Sequence, residues 1–367
     1  MNYLNDLKSI VEINSYTKNK AGVDKVGLIF DKWLEYLGFI SDIHERGDIG
    51  NHRHYKSPHA KSGKKLLLLG HLDTVFPPDK FENFTEDEEW IYGPGVCDMK
   101  GGNIVAIEAL RELKKDGIEI QNIDLLFVSD EETGSDDSKY LTAKLAKNYD
   151  YCFVYEAAGV DLEVVTGRKG VGTFFIDIEG KAAHAGNNYS DGCDANLELS
   201  YKLQELVKLT DLSKGTTLNV GKIDGGIGAN TISPHAKITF ELRYKTQDER
   251  DRVLNAIDKV VEKPFVDGTT SVLNGGIQRD VMQTSLASLE LIKSIEKITN
   301  CELKSEERGG VSDANIVSSQ GVVTLDGFGP FGDGDHTVNE RASKSSFVSR
   351  IELSKKLFKH FIEKLYF

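Results

Sequence analysis

The chain has 367 residues, more than one ordinary hydrophobic core supports, so two domains are the leading expectation and one large domain the alternative. With 39% hydrophobic and 28% charged residues, and no apolar run longer than a strand or helix needs, it reads as a soluble globular protein that spans no membrane. A formal charge of -13, with no Lys/Arg cluster interleaved with aromatics to offset it, argues against nucleic acid as a partner.

The opening stretch MNYLNDLKSIVEI is amphipathic and carries acidic residues where a secretory signal needs a basic start and a continuous apolar block, which predicts a cytoplasmic protein. Cys97, Cys152, Cys193 and Cys301 lie far apart with no CxxC pair, so neither a disulfide framework nor a zinc knuckle is expected. The thiols are expected to be reduced and mostly buried. Val26, Ile29, Phe30, Trp33 and Leu37 recur at helical spacing and predict a helix near residues 24–37; Lys64 to Leu69 then reads as a buried strand. A helix over about 103–115, a strand at 123–128, a helix near 137–147 and a strand at 151–155 continue the alternation, which suggests a mostly parallel sheet.

After Gly167 the pattern changes. Alternating segments at 172–178 and 237–243, separated by helices near 196–209 and 248–261, predict a small α+β insert over 168–277. From about Val281 the first kind of signal returns, with a strand at 322–325 and a closing helix carrying Phe347, Ile351, Phe358, Phe361 and Leu365. The expected fold class is therefore α/β, a mixed, mostly parallel sheet with helices on both faces, split by the insert into 1–167 and 278–367.

Chemistry-bearing residues fall at the ends of those strands. In LLLLGHLDTVFPP a buried strand runs directly into His71 and Asp73, two residues apart and so on the same side of extended chain, at the carboxyl end where open α/β sheets bind ligands. A hydrogen-bonded structural histidine fits this pattern; so does a metal ligand oriented by its neighbouring carboxylate. YGPGVCDMKGG places Asp98 and Lys100 in a glycine-rich turn before a helix, where Asp98 fits either a site or a solvated helix entry. The strand 123–128 delivers Asp130, Glu131 and Glu132, and YCFVY delivers Glu156. Such an acidic run is either a solvated loop or a pair of neighbours with different tasks, one binding a cation and one handling a proton. GDGDHTVNE sets His336 in a glycine-rich loop. Two imidazoles with several carboxylates suit zinc, and two ions about 3.5–4 Å apart could activate a water and polarise a carbonyl together. A phosphate-binding loop is excluded because the glycine spacing of GPGVCDMKGG matches neither standard motif.

Together GHLDTVFP, GPGVCDMKGG, DEETGS, GKAAHAG and GANTISPHA resemble the co-catalytic zinc exopeptidases and deacylases, the family of glutamate carboxypeptidase, acetylornithine deacetylase, succinyl-diaminopimelate desuccinylase and aminoacylase. The resemblance covers nearly the whole chain and leans toward the bacterial glutamate carboxypeptidase branch. It implies two Zn2+ per subunit, with Co2+ or Mn2+ as substitutes. His71 and Glu156 would hold one ion, Glu132 and His336 the other, with Asp98 bridging both, Asp73 orienting His71 and Glu131 as general base. A glutamate at position 156 goes with carboxypeptidases and N-deacylases in this family, an aspartate with aminopeptidases and dipeptidases. His184 resembles the histidine that reaches across a homodimer, formed through the insert, to hold the oxyanion. Asn230 and Arg243 match positions that hold the substrate's carbonyl or carboxylate, though a strand arginine paired with an acidic neighbour also fits Arg243. Arg308 and Gly309 lie in ERGGVSDAN, a segment like the family's substrate loop, where Arg308 replaces the usual small hydroxyl residue.

The expected substrate is a small peptide or an N-acyl amino acid cut at an amide bond. A deacylase or di/tripeptidase of the same family is the nearest alternative, and a homologue that binds metal without turnover is the rival from another class. His52, His54 and His59 in NHRHYKSPHAK read as surface-loop histidines rather than a further metal site.

Overall fold

The protein is described by a computed structural model covering residues 3–60 and 63–367. The chain divides into two compact units. One runs to Gly167 and resumes over Thr284–Arg308 and Ser312–Phe367; the other comprises Arg168–Gln283 and Gly309–Val311.

A six-stranded sheet organises the first unit, in the order Ile40–His44, His52–Lys56, Ile123–Val128, Leu66–His71, Tyr151–Val154, Val323–Leu325. The last four run parallel, and the first two are added antiparallel at one edge. Every residue of Leu66–His71 and of Ile123–Val128 is buried. Because side chains alternate between the faces of a strand, complete burial means that both faces are covered. The helices that cover them are amphipathic. Lys20–Tyr36 buries Val23, Val26, Phe30 and Leu34, with the Asn19 side chain capping its first turn. Lys100–Lys115 packs against the closing helix Lys344–Lys364, whose Phe347, Ile351, Leu357, Phe358 and Phe361 are all buried.

Register explains where the site forms. Leu66 pairs with Ile123 and His71 with Val128, while Leu69 pairs with Val154. Two parallel strands thus end level and the third within two residues of them, and the residues that follow, Asp73, Asp130–Glu132 and Glu156, emerge at one edge of the sheet. A small second sheet joins two more segments: Gly332–Asp333 and Arg341–Ser343 form a hairpin, and Arg341–Ser343 also pairs with Trp90–Tyr92. The hairpin loop carries His336, and Trp90–Tyr92 leads into the turn that carries Asp98.

The second unit is a four-stranded antiparallel sheet, ordered Thr217–Gly225, His235–Tyr244, Gly170–Glu179, Thr270–Arg279. Burial alternates along its central strands, so one face packs Phe174, Ile176, Ile178, Ile238, Phe240 and Leu242 against the helices Ala195–Val207 and Gln247–Glu262. Arg168 and Met282 exchange backbone hydrogen bonds, which carries this unit on to Gln283, past the expected end of the insert at 277.

Two sequence expectations need correction. His52–Lys56 is a strand of the main sheet, with His52 and His54 buried, and not a surface loop. Its alternating histidine and basic residues hid a β pattern that tertiary packing completes. Among the cysteines, Cys97 and Cys152 are buried but Cys193 is partly exposed and Cys301 exposed; all four are free thiols. Among the described residues, no helix is long and apolar enough to cross a membrane.

The helix Lys100–Lys115 meets the sheet with no spare room at its start: a Cβ on Gly102 would stand 1.8 Å from the carbonyl oxygen of Tyr155, and one on Gly101 2.0 Å from that of Val96. Gly102→Ala is expected to destabilise the metal-free protein by at least ~1–3 kcal/mol, the usual cost of overpacking. A lowered unfolding midpoint in chemical denaturation checks this; an unchanged midpoint would show that the helix shifts off the strand end without cost.

Candidate metal centre

His71 closes its strand with its side chain almost wholly buried. Its Nδ1 lies 3.0 Å from the carbonyl oxygen of Asp73, which can only accept, so Nδ1 carries a proton and Nε2 is the ring atom that faces Asp98 and Glu156. Nε2 is 3.1 Å from Asp98 Oδ1 and 3.8 Å from Glu156 Oε1. The other oxygen of Asp98 faces a different pair: Oδ2 is 3.2 Å from His336 Nε2, which is itself 3.1 Å from Glu132 Oε2. Asp98 therefore stands between two imidazole–carboxylate pairs, one oxygen turned to each. Ligand atoms of His71, Asp98 and Glu132 all lie within 4.8 Å of one another.

The remaining acids of this edge are sorted by their partners. Asp73 Oδ2 accepts the Thr17 hydroxyl at 2.7 Å and the Glu132 backbone N–H at 3.3 Å, while its buried Oδ1 stands 3.4 Å from His71 Nδ1. Asp130 turns away from the cluster: its Oδ2 accepts the N–H groups of Asp137 and Ser138 and caps the helix Ser138–Ala146. Glu131 and Glu132 are left in a short 3-10 turn, Glu131–Thr133. The charge of Glu131 contributes to the shifts of both Glu132 and Glu156, so it acts on the same pocket.

Electrostatics show what the cluster lacks. Burial, and then the charge of Asp98, push Glu132 and Glu156 well above the usual carboxylate range. Burial opposes ionisation of Asp98 as well, but its contacts with His336 and His71 outweigh it and hold the carboxyl low. Hydrogen bonds to Asp98 and Glu132 raise His336 to about 11. Burial would lower His71, yet the Asp73 and Asp98 contacts raise it well above an ordinary histidine. Two imidazoles thus face more carboxylate charge than they can offset, a surplus that calls for a stronger positive charge. Divalent cations supply that charge, and oxygen and imidazole nitrogen donors in this arrangement fit two of them.

Several residues have supporting roles that the sequence reading did not assign. The side-chain amide of Asn103 donates to the carbonyl oxygen of His71 at 2.7 Å. Lys100, the first residue of its helix, is buried and donates to the carbonyl oxygens of Ile10 and Ile13; burial lowers it to about 7. Glu340 is buried against the turn before Asp98. Thr17 gave no signal at all, whereas Glu340 lies inside GDGDHTVNE, where an acid four residues after His336 was a visible candidate. His52 holds the acidic loop in place: its Nδ1 accepts the Ser129 N–H at 3.1 Å and its Nε2 lies 3.0 Å from Asp137 Oδ1. His54 contacts the Tyr149 hydroxyl, and His59 contacts Asp124.

Of the other expected site residues, His184, Asn230, Arg243 and Gly309 belong to the second unit and Arg308 to the first. Arg308 donates to the carbonyl oxygen of Ala157, next to Glu156, at 2.9 Å and pairs with Glu306. Within the second unit, His184 and Asn230 are brought together: His184 bridges Thr231, and the Ala185 N–H donates to the Asn230 carbonyl. His184 Nδ1 accepts the N–H groups of Gly186 and Asn187, both at 3.1 Å, so its exposed Nε2 carries the proton. Arg243 is paired with Glu241 at 2.7 Å, and it also donates to the carbonyl oxygen of Gly309 at 3.0 Å.

Comparison with known proteins gives a consistent result. The family model for peptidase family M20/M25/M40 matches residues 67–360. Carboxypeptidase G2 of Pseudomonas sp. (strain RS-16) is 26% identical over 361 residues, 96% of this chain and 86% of that protein. Succinyl-diaminopimelate desuccinylase of Coxiella burnetii (strain Dugway 5J108-111) is 26% identical over 373 residues, 92% of this chain and 93% of that protein. Among solved structures, the aminopeptidase PepT of Bacillus cereus ATCC 10987 shares the fold, with a TM-score of 0.81 at 20% identity over 99% of this chain and 98% of that one.

Protonated His336 must lose its proton before Nε2 can bind a cation, and the raised Glu132 and Glu156 must do the same. Zinc uptake by the metal-free protein is therefore expected to release protons, and to tighten as pH rises from about 6 to about 8. Calorimetric titration in two buffers of different ionisation enthalpy measures the release. Uptake with no proton release and an affinity flat across that range would count against His336 as a ligand.

Proposed function

The chain belongs to peptidase family M20/M25/M40, and from that premise we propose that it is a two-zinc hydrolase of the glutamate carboxypeptidase kind, removing C-terminal amino acids from small peptides or N-acyl amino acids. The observation that carries this reading is the placement of Asp98, with one oxygen on His71, which also faces Glu156, and the other on His336, which also faces Glu132. His71 and Glu156 would hold one ion, His336 and Glu132 the second, and Asp98 both; cobalt or manganese would fit the same donors. When bound, such a pair of ions polarises an amide carbonyl and lowers the pKa of a water.

The chain's own groups do the rest. Asp73 keeps the proton of His71 on Nδ1 and, through its second oxygen, fixes the backbone of Glu132. Glu131, next to Glu132 in the turn that follows the strand Ile123–Val128, is the general base: it takes a proton from the attacking water and returns it to the leaving nitrogen as the C–N bond breaks, leaving a carboxylic acid and an amine. His184 presents an N–H at an exposed position and would hold the oxyanion from a second copy of the chain, which makes a homodimer through the second unit part of the proposal. Asn230, Arg243 and Gly309 would meet the substrate's carbonyl or carboxylate. Arg308, fixed beside Glu156 by Ala157, would do so from the first unit. Four free thiols fit a cytoplasmic enzyme.

Glu131→Gln is expected to reduce turnover by at least ~100-fold, the lower range for removing a general base, with both zinc ions still bound. Near-normal activity in a metal-loaded Glu131→Gln protein would take Glu131 out of the role. A panel of N-blocked dipeptides, N-acetyl and N-succinyl amino acids and free tripeptides then separates the branches. Preference for a blocked substrate ending in glutamate is expected. Selective cleavage of N-succinyl compounds would favour the deacylase reading that the desuccinylase relative suggests, and of free tripeptides the peptidase reading.

A further inference from the structure

Glu340 takes no part in the catalytic scheme, yet it is 1% exposed and lies against the metal cluster. Its Oε1 accepts the backbone N–H groups of Cys97 at 3.0 Å and Asp98 at 3.1 Å, and its Oε2 that of Gly95 at 3.0 Å. A carboxylate is an acceptor on both oxygens, so three N–H donors suit it, and hydrogen bonds to an ionised acceptor are about twice as strong as neutral ones. Those three donors belong to the turn that delivers Asp98. Glu340 itself belongs to the loop that delivers His336, between the hairpin strands Gly332–Asp333 and Arg341–Ser343.

Three further contacts bind the same two segments. Arg341–Ser343 pairs with Trp90–Tyr92, the Gly93 N–H donates to the Glu340 carbonyl at 3.3 Å, and Gly332 comes so near Cys97 that an added Cβ would stand 2.4 Å from the cysteine Cβ. Resting on the two-metal reading above, we infer that Glu340 is a positioning residue that clamps the Asp98 turn onto the His336 loop, so that these two donors, about 240 residues apart in sequence, enter the second cation pocket as one unit. Glutamine cannot replace it. Its side chain has one acceptor oxygen, and its NH2 would face backbone N–H donors.

Zinc titration of the metal-stripped full chain tests this, with the thermal midpoint of the metal-free protein measured alongside. In Glu340→Gln, the pocket shared by Asp98, Glu132 and His336 is expected to lose ~10–100-fold in affinity, the usual effect of removing a group that orients ligands, while the pocket of His71 and Glu156 loses less. Glu340→Asp, which keeps the charge on a shorter arm, should lie between wild type and Glu340→Gln. A purely structural role would lower the midpoint and leave both affinities unchanged, and that result would overturn the inference. If Glu340→Gln does not fold, Glu340→Asp decides: an unchanged second-site affinity overturns it, and a selective loss there supports it. Fewer than two zinc ions on wild type would overturn the two-metal reading itself, whereas two on wild type and two equally tight on Glu340→Gln would overturn the role of Glu340 alone.

Discussion

Crowded negative charge at the carboxyl edge of a parallel sheet is the constraint on which the first unit depends. Strands that end within two residues of one another bring Asp73, Glu131, Glu132 and Glu156 to one place, and Asp98 joins them from a separate turn. Buried carboxylates at such separation cannot all be ionised without compensating positive charge. Two histidines offset only part of it, which is why they are driven toward protonation while Glu132 and Glu156 are driven toward the neutral acid. The donors of the cluster are of the kind that suits divalent cations.

The surrounding structure gives each acid a distinct partner. Asp130 faces a helix amino terminus, Asp73 is held between Thr17 and the backbone of Glu132, and Glu340 is surrounded by backbone N–H groups. These bonds hold carboxylates that would otherwise repel one another, and they also fix the geometry of those that remain available. The inner strands contribute in a different way. Being buried on both faces, they leave the strand ends little freedom, and the tight contact of Gly102 with Tyr155 continues that rigidity to the start of the helix beside the cluster.

The second unit is built on another plan. Its antiparallel sheet buries one face only; His184 and Asn230 are exposed in its connections, and Arg243 lies on a strand. His184 is oriented there by two backbone N–H groups rather than by a buried carboxylate. The pairing of Arg243 with Glu241 gives that arginine a defined resting position on its strand.

Local pattern alone was enough for the inner strands and the long helices. Ile123–Val128 was legible to the residue, and the acids that follow it and Leu66–His71 were visible as site candidates, because a continuous apolar run that ends abruptly in charged residues is a local signal. Edge strands such as Ile40–His44 and His52–Lys56 were not legible, since their mixed polar sequence becomes a strand only when a neighbour supplies hydrogen-bond partners. The same holds within the site. Residue types at strand ends pointed to candidate ligating groups, but which oxygen of Asp98 faces which imidazole, that Asp130 is a cap, and that Glu340 and Thr17 hold other acids in place were decided by tertiary structure. Those relations are contacts between segments far apart in the chain, and no local pattern encodes the distance between them.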